Sequence, residues 1–380
     1  MKIKAGDLEN QLGFVMRGTL QRTGGMYSLV CLERTPDGVF LRSFNQVAHS
    51  LARIAGSEEA GGEHLRILFN PKPLAGAISR VDGMLHVEVD EESFSISITG
   101  PVRVDQRGRD GANFIDFPMP EAEPVSLENA TQRLARSMGS AYRAVDKNHP
   151  NARFAGVYLG DRHTPGTVCA VGTNATSLVE VEIGSSEGLE AFEGESIIPA
   201  VSMDQIRKLL DASEESVNLY LTGRQASFVG EKRALCTQVI SEKYPNYASI
   251  LPDMDECQEI QLPRRELETA LRICDEYTED FSAVFLDFEE GGLTVRSTEA
   301  EAGGASYEIE AETGDMGVMR LKGSAERLLE VVGSLSTPQV VMYVPMKQEP
   351  DRIGFSPSGL DGMRGACALM YLQPGEGLGE

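Results

Sequence analysis

Three stretches decide the fold: LRILFNPKPLAGAISRV (65–81), ESIIPAVSMDQIRKLLD (195–211) and GVMRLKGSAERLLEVV (317–332). Each reads as a short apolar strand, a break, and a helix of period 3.6. Aligning Phe69, Ile198 and Leu321 sets the copies 129 and 123 residues apart. An alternating strand and a hairpin follow each one: LHVEVDEESFSISI, VNLYLTGRQASFVG and VVMYVPMKQEPDRIGFS. A helical segment precedes each one, opened by LENQL at Leu8, LENAT at Leu127 and LETAL at Leu267. The order helix, strands, strand-break-helix, strands therefore occurs three times. It predicts an α+β chain of three repeated domains, each with two helices packed on antiparallel sheets. The Pro-rich stretches at 117–125 and 251–259 are the expected joints, giving domains over 1–124, 125–255 and 256–380.

The helices carry a second message. From Leu127 to Val145, the residues Leu127, Thr131, Leu134, Met138, Tyr142 and Val145 share one stripe. Arg133, Arg136 and Arg143 lie nearly opposite. Leu267, Ala270, Leu271 and Cys274 share a face, with Arg265 and Arg272 opposite. Leu8, Leu12 and Val15 oppose Arg17, and Ile206 and Leu210 oppose Lys208. Charged faces usually mean only solvent. Here, however, 58 acidic residues stand against 35 basic ones, a net charge of -23. Arg and Lys opposite the core of several equivalent helices run against that average, although Glu268 and Asp211 show that the bias is not pure. An acidic body with basic helical stripes suits a channel that attracts phosphates regardless of sequence and does not grip them. The channel candidates are Arg17, Arg22, Lys72, Arg80, Arg133, Arg136, Arg143, Arg207, Lys208, Arg265 and Arg272.

Other chemistry is sparse. The start, MKIKAGDLENQLGF, lacks the apolar core of a signal peptide, and no apolar run is long enough to span a bilayer. The six cysteines are scattered without a CxxC and read as small core residues in a reducing cytoplasm. The triplet Asn174-Ala175-Thr176 is then no glycosylation site. GSSEG (184–188) matches a nucleophile elbow with Ser186, but an acidic loop follows it instead of a helix, and no histidine has a motif placing it as a base. There is no GxxxxGK, so ATP hydrolysis would fall to a separate loader. No HExxH or compact His/Cys/Asp cluster occurs, so neither metal nor cofactor is expected. Tyr244 and Tyr247, beside prolines, read as packing residues.

Taken together, the three similar domains, GTNATSLVEV (172–181), KYPNYASILP (243–252) and the terminal ALMYLQP (368–374) resemble the bacterial DNA polymerase III beta subunit, the beta sliding clamp family. The resemblance covers essentially the whole chain. It implies a head-to-tail homodimer whose six domains form a closed ring around duplex DNA, with helices lining the hole. It also implies an ATP-dependent clamp loader and a hydrophobic pocket through which polymerase and other partners dock a short linear peptide. Carried over by motif, that pocket uses Thr173, Ala175, Thr176, Ser177 and Leu178 from the loop, and Pro245, Ser249 and Ile250 from YPNYASI. It is completed by Tyr371, Leu372, Gln373 and Pro374 at the end, with Phe154 from RFAGVYL. Phe114 and Ile273 fall near the family's dimer edges. The loop departs from the family's usual TDGHRL, Ser249 stands where Arg is common, and an acidic GEGLGE follows Pro374. These departures imply a changed peptide preference and leave a bacterial or a phage source open; the resemblance implies a cytoplasmic protein with no membrane partner and no enzymatic activity. The alternatives are a serine hydrolase using Ser186, and a clamp-like scaffold that binds peptides without encircling DNA.

Overall fold

The computed structural model of the chain describes residues 1–20, 25–54, 63–121, 125–126, 131–160, 167–185, 195–211, 217–278, 281–298, 303–314, 317–347, 350–359 and 362–370. Among them are six α-helices: α1 (Ala5–Met16), α2 (Pro71–Ile78), α3 (Thr131–Ala141), α4 (Ala200–Asp211), α5 (Arg264–Asp275) and α6 (Ala325–Val332). These are the two helices per copy that the repeat predicts.

Local chemistry sets the helix starts. Asn70 caps α2, its side chain accepting from Lys72 N at 3.1 Å, and Pro71 fills the first turn, where no N–H is needed. Ser324 caps α6 by accepting from Arg327 N. The cap also corrects the repeat alignment. Phe69 and Ile198 each stand two residues before their helix, whereas Leu321 stands four before α6 and Gly323 takes the equivalent place. The apolar stripes are buried as read. Leu267, Ala270, Leu271 and Cys274 of α5 are at most 1% exposed, and Leu328, Val331 and Val332 of α6 face them in the same core. Each of the leucines and valines contributes about 1.5–3 kcal/mol, the smaller Ala270 and Cys274 less. Of the stripe predicted from Leu127 to Val145, the described part is α3 from Thr131, which passes into a 3-10 turn at Tyr142–Ala144; Leu127 lies outside the described residues.

The helices follow the repeat, but the sheets do not. The chain divides into two compact units, Met1–Ala135 with Gly188–Ser241, and Arg136–Glu187 with Glu242–Glu380. In the first, a twelve-stranded antiparallel sheet joins strand Ala48–Arg53 to strand Arg233–Gln238, with His49 opposite Cys236. In the second, strand Ser177–Ser185 pairs with Met363–Met370, placing Leu178 opposite Ala366. The middle copy is thus shared between the units. Both expected joints lie inside a unit. Phe117 is buried with Ala234 and Cys236, and Pro252 packs on Gly354. All six cysteines are thiols, five of them buried. Burial first, and then the neighbouring carboxylates Glu33 and Glu330, push the Cys31 and Cys367 thiols up to about 12.

Candidate functional site

The loop of GTNATSLVEV is built on a close approach. A Cβ on Gly172 would stand 1.8 Å from the Ala141 carbonyl oxygen at the end of α3, so only glycine fits beneath that helix. The chain then turns through a set of local hydrogen bonds, among them Ala175 N to Thr173 Oγ1 at 3.2 Å and Asn174 N to the Ser177 carbonyl at 3.3 Å. Thr173 Oγ1 donates to the Ser177 carbonyl at 2.7 Å. Asn174 Oδ1 accepts from Thr176 N at 3.0 Å, Thr176 Oγ1 at 2.9 Å and Ser177 N at 2.8 Å. This is an Asn-centred turn, the local alternative to helix or strand that Asn offers. It holds Ala175 at φ 77°, the left-handed region that a residue with a Cβ rarely enters. Thr173, Asn174, Ser177 and Leu178 are buried, while Ala175 and Thr176 are exposed.

Tyrosines fix the second segment. Tyr244 and Tyr247 are each 1% exposed and do pack, not stack on a ligand. Tyr158 stacks on Tyr244 with centroids 4.7 Å apart. Tyr244 Oη donates to the Val171 carbonyl at 3.3 Å, and Tyr247 Oη to Glu180 Oε1 at 2.9 Å. Burial and the Glu180 carboxylate hold the Tyr247 hydroxyl well above its ordinary range, so it stays a donor. These anchors leave Pro245 and Ile250 partly exposed and Ser249 exposed.

A relay of backbone and guanidinium contacts joins the segments. The Thr176 carbonyl accepts from Ala368 N at 2.7 Å, Ala368 pairs with Arg352 in the sheet, and Arg352 Nη1 donates to the Ser249 carbonyl. Beside Ser249 opens a cavity of about 440 Å³ lined by Leu251, Pro252, Pro345, Met346, Lys347 and Arg352. Its lining mixes these apolar side chains with charged ones, Asp253 and Glu256 beside Lys347 and Arg352, so a short segment would meet both apolar and polar contacts. Arg352 and Lys347 flank Asp351 and hold its carboxyl well below the usual range. The structure thus brings Thr176 and Ser249 into one constellation. Phe154 differs: its ring packs edge-on against His149 at 4.8 Å. Tyr371, Leu372, Gln373 and Pro374 lie outside the described residues, as do Arg22 and Ser186. Asn174, Leu251, Met346 and Arg352 escaped the sequence reading. Asn174 alone carried a local signal, as a turn-forming residue inside the quoted loop.

The basic candidates are mostly exposed: Arg17, Lys72, Arg80, Arg133, Arg136, Arg143, Arg207, Arg265 and Arg272. Lys208 is the exception, being partly buried against α1, where its Nζ would meet a Cβ on Gly13 at 3.4 Å. Its pKa is lowered, first by burial and then by Arg17 and Arg233. Three cations so close make a local positive focus in an acidic protein. Arg143 also has a structural part, since its Nη1 would lie 3.0 Å from a side chain at Gly333, by the C-terminal end of α6. Of the two seam candidates, Ile273 is 40% exposed on α5. Phe114 is 4% exposed and packs with Leu29, Cys31 and Leu68, so it is a core residue with little surface left to offer a partner.

No family model matches the chain. A beta sliding clamp of Caulobacter vibrioides is 26% identical over 266 residues, covering 66% of this chain and 70% of that protein. The crystal structure of the DNA polymerase III subunit beta of Pseudomonas aeruginosa superposes with a TM-score of 0.84 at 18% identity, over 98% of this chain and 100% of that one. A Pseudomonas aeruginosa sliding clamp bound to griselimycin gives 0.83 at 18% identity, over 98% and 99%. The architecture is therefore that of a DNA clamp, six helices on continuous antiparallel sheets. In sequence and in fold the chain is similar to beta sliding clamps.

Proposed function

We propose that the protein is a DNA sliding clamp, a replication processivity factor that encircles duplex DNA and tethers polymerase through a peptide pocket. The carrying observation is the clamp fold, matched over 98% of the chain. In this reading 1–124, 125–255 and 256–380 are the three clamp domains, and two chains close a ring of six. A topological link needs no strong contact, so basic stripes on exposed helix faces suffice to keep the duplex centred while the ring slides. Arg17, Lys208, Arg133, Arg136, Arg265 and Arg272 are the principal channel residues, and Ile273 belongs to the seam. The loop at 173–178, Ser249 and the adjoining cavity form the pocket, whose changed loop gives it a peptide preference of its own. Tethering raises the local concentration of the polymerase at the primer end. The protein acts in the cytoplasm, is loaded by a separate ATPase and catalyses no reaction; no helix among the described residues is long and apolar enough to cross a membrane.

Retention on nicked circular DNA tests this reading. The protein, loaded by a clamp loader, is expected to stay on the circle through gel filtration and to slide off once the circle is linearised. Equal loss from both forms would overturn encirclement and leave a peptide-binding scaffold.

A further inference from the structure

We propose that Glu330, on α6, is a positioning residue for peptide binding: it fixes the Asn174 turn so that Ala175 and Thr176 face the ligand in one conformation. The inference rests on the pocket reading above. Glu330 Oε2 accepts from Asn174 Nδ2 at 2.8 Å and from Ser177 Oγ at 2.6 Å. Its Oε1 accepts from Arg327 Nη1 at 2.6 Å. Asn174 in turn ties down the Thr176 and Ser177 amides and the Thr176 hydroxyl. One carboxylate on α6, 156 residues away in sequence, therefore holds both the Asn174 side chain that organises the turn and the Ser177 hydroxyl at its end. The tip needs such a post because Ala175 sits in the left-handed region. A ligand meeting a pre-formed tip loses less conformational freedom on binding.

Glu330 is a poor choice for stability alone. Its side chain is 20% exposed, and burial raises its pKa above the ordinary carboxylate value. The raising outweighs the opposing pull of Ser177, Arg327 and Asn174. The charged form is therefore disfavoured by folding, and neutralising it relieves that cost. The charged or titratable groups facing it are Arg327 on its own helix and Cys367 on strand Met363–Met370, whose thiol is pushed up to about 12 and stays neutral. A residue kept for packing would serve as well as glutamine. A residue kept for its charge, as a double acceptor that orders a loop, would not.

Glu330→Gln separates the two. The probe is a labelled peptide spanning the clamp-binding segment of a bacterial replicative polymerase. The variant is expected to bind about tenfold more weakly, as loss of a charge-assisted hydrogen bond implies. Its melting temperature should be unchanged or raised, and amide exchange at 174–177 should quicken. Glu330→Asp, which keeps the charge on a shorter stem, should recover part of the affinity. Binding within twofold of the original protein, unchanged exchange at 174–177, or affinity and melting temperature falling together would each overturn the proposal. If the unaltered chain binds no peptide, the pocket reading itself fails, and this inference with it; the exchange measurement alone still decides whether Glu330 fixes the turn.

Discussion

The α1–α4 cation cluster and the 173–178 loop are both candidate contact surfaces, yet they are built in opposite ways. At the first, Arg17 is exposed and Lys208 only partly buried, and burial first, then repulsion from Arg17, lowers the lysine pKa. At the second, the polar side chains of the turn are hydrogen-bonded, down to the partly buried Glu330 carboxylate. The difference follows from the tasks proposed for them. A sliding contact must not favour one register of the duplex, so mobile solvated charges serve. A docking contact must present one shape, so buried hydrogen bonds serve.

The largest expected effect breaks the second surface at its base. Gly172→Val would drive a side chain into the Ala141 carbonyl, and overpacking against backbone costs about 3 kcal/mol or more. Urea unfolding should show that loss, with peptide binding gone; a tolerated valine would mean that the loop is not seated beneath α3. The first surface should behave in reverse. Replacing Arg133, Arg136 and Arg272 together with alanine should leave unfolding within about 0.5 kcal/mol per site. It should lower the slope of log DNA affinity against log salt by roughly 0.9 per lost phosphate contact. Peptide affinity should not move, and any coupled loss would erase the contrast.

Acid sharpens the comparison because one partly buried group in each unit responds, the two with opposite sign. His49 stacks on Phe44 at 4.1 Å, and burial with Arg42 lowers its pKa to about 4. The folded His49 is neutral where an unfolded histidine, near 6.5, takes a proton. Its contribution to stability is thus present above 6.5 and lost as pH falls towards 4. Glu330 works the other way, since its raised pKa means that protonation favours the fold while loosening the turn. Stability measured from pH 7 to pH 4 should fall in the original protein and fall less in His49→Phe. The smallest effect is Ala175→Gly. Relief of left-handed strain, about 1–2 kcal/mol, is offset by about 0.4–1 kcal/mol of added freedom in the unfolded chain. Net stability should change little while peptide affinity drops, because the tip gains conformations.

Helix periodicity was legible because each stripe is local: the core face of α5 could be read from Leu267, Ala270, Leu271 and Cys274 alone. The Asn70 and Ser324 caps sit in the same short stretches. Strand partners were not legible. Nothing near Ala48–Arg53 names Arg233–Gln238 as its neighbour, since pairing is chosen by packing far along the chain. Phe114 misled for a related reason: an apolar residue in a loop looks alike whether its own core or a second chain covers it. Family likeness supplied the loop and the 245–250 segment, but Glu330 and Arg352 reach them only through the fold.

The shared sheets bear on how this molecule can be dissected. Cutting at the Pro-rich stretches would tear strand Arg233–Gln238 from Ala48–Arg53 and strand Ser177–Ser185 from Met363–Met370. The freed middle copy would carry two raw edges of unpaired amides and carbonyls, an invitation to amyloid-like stacking. The three sequence copies are therefore not detachable parts.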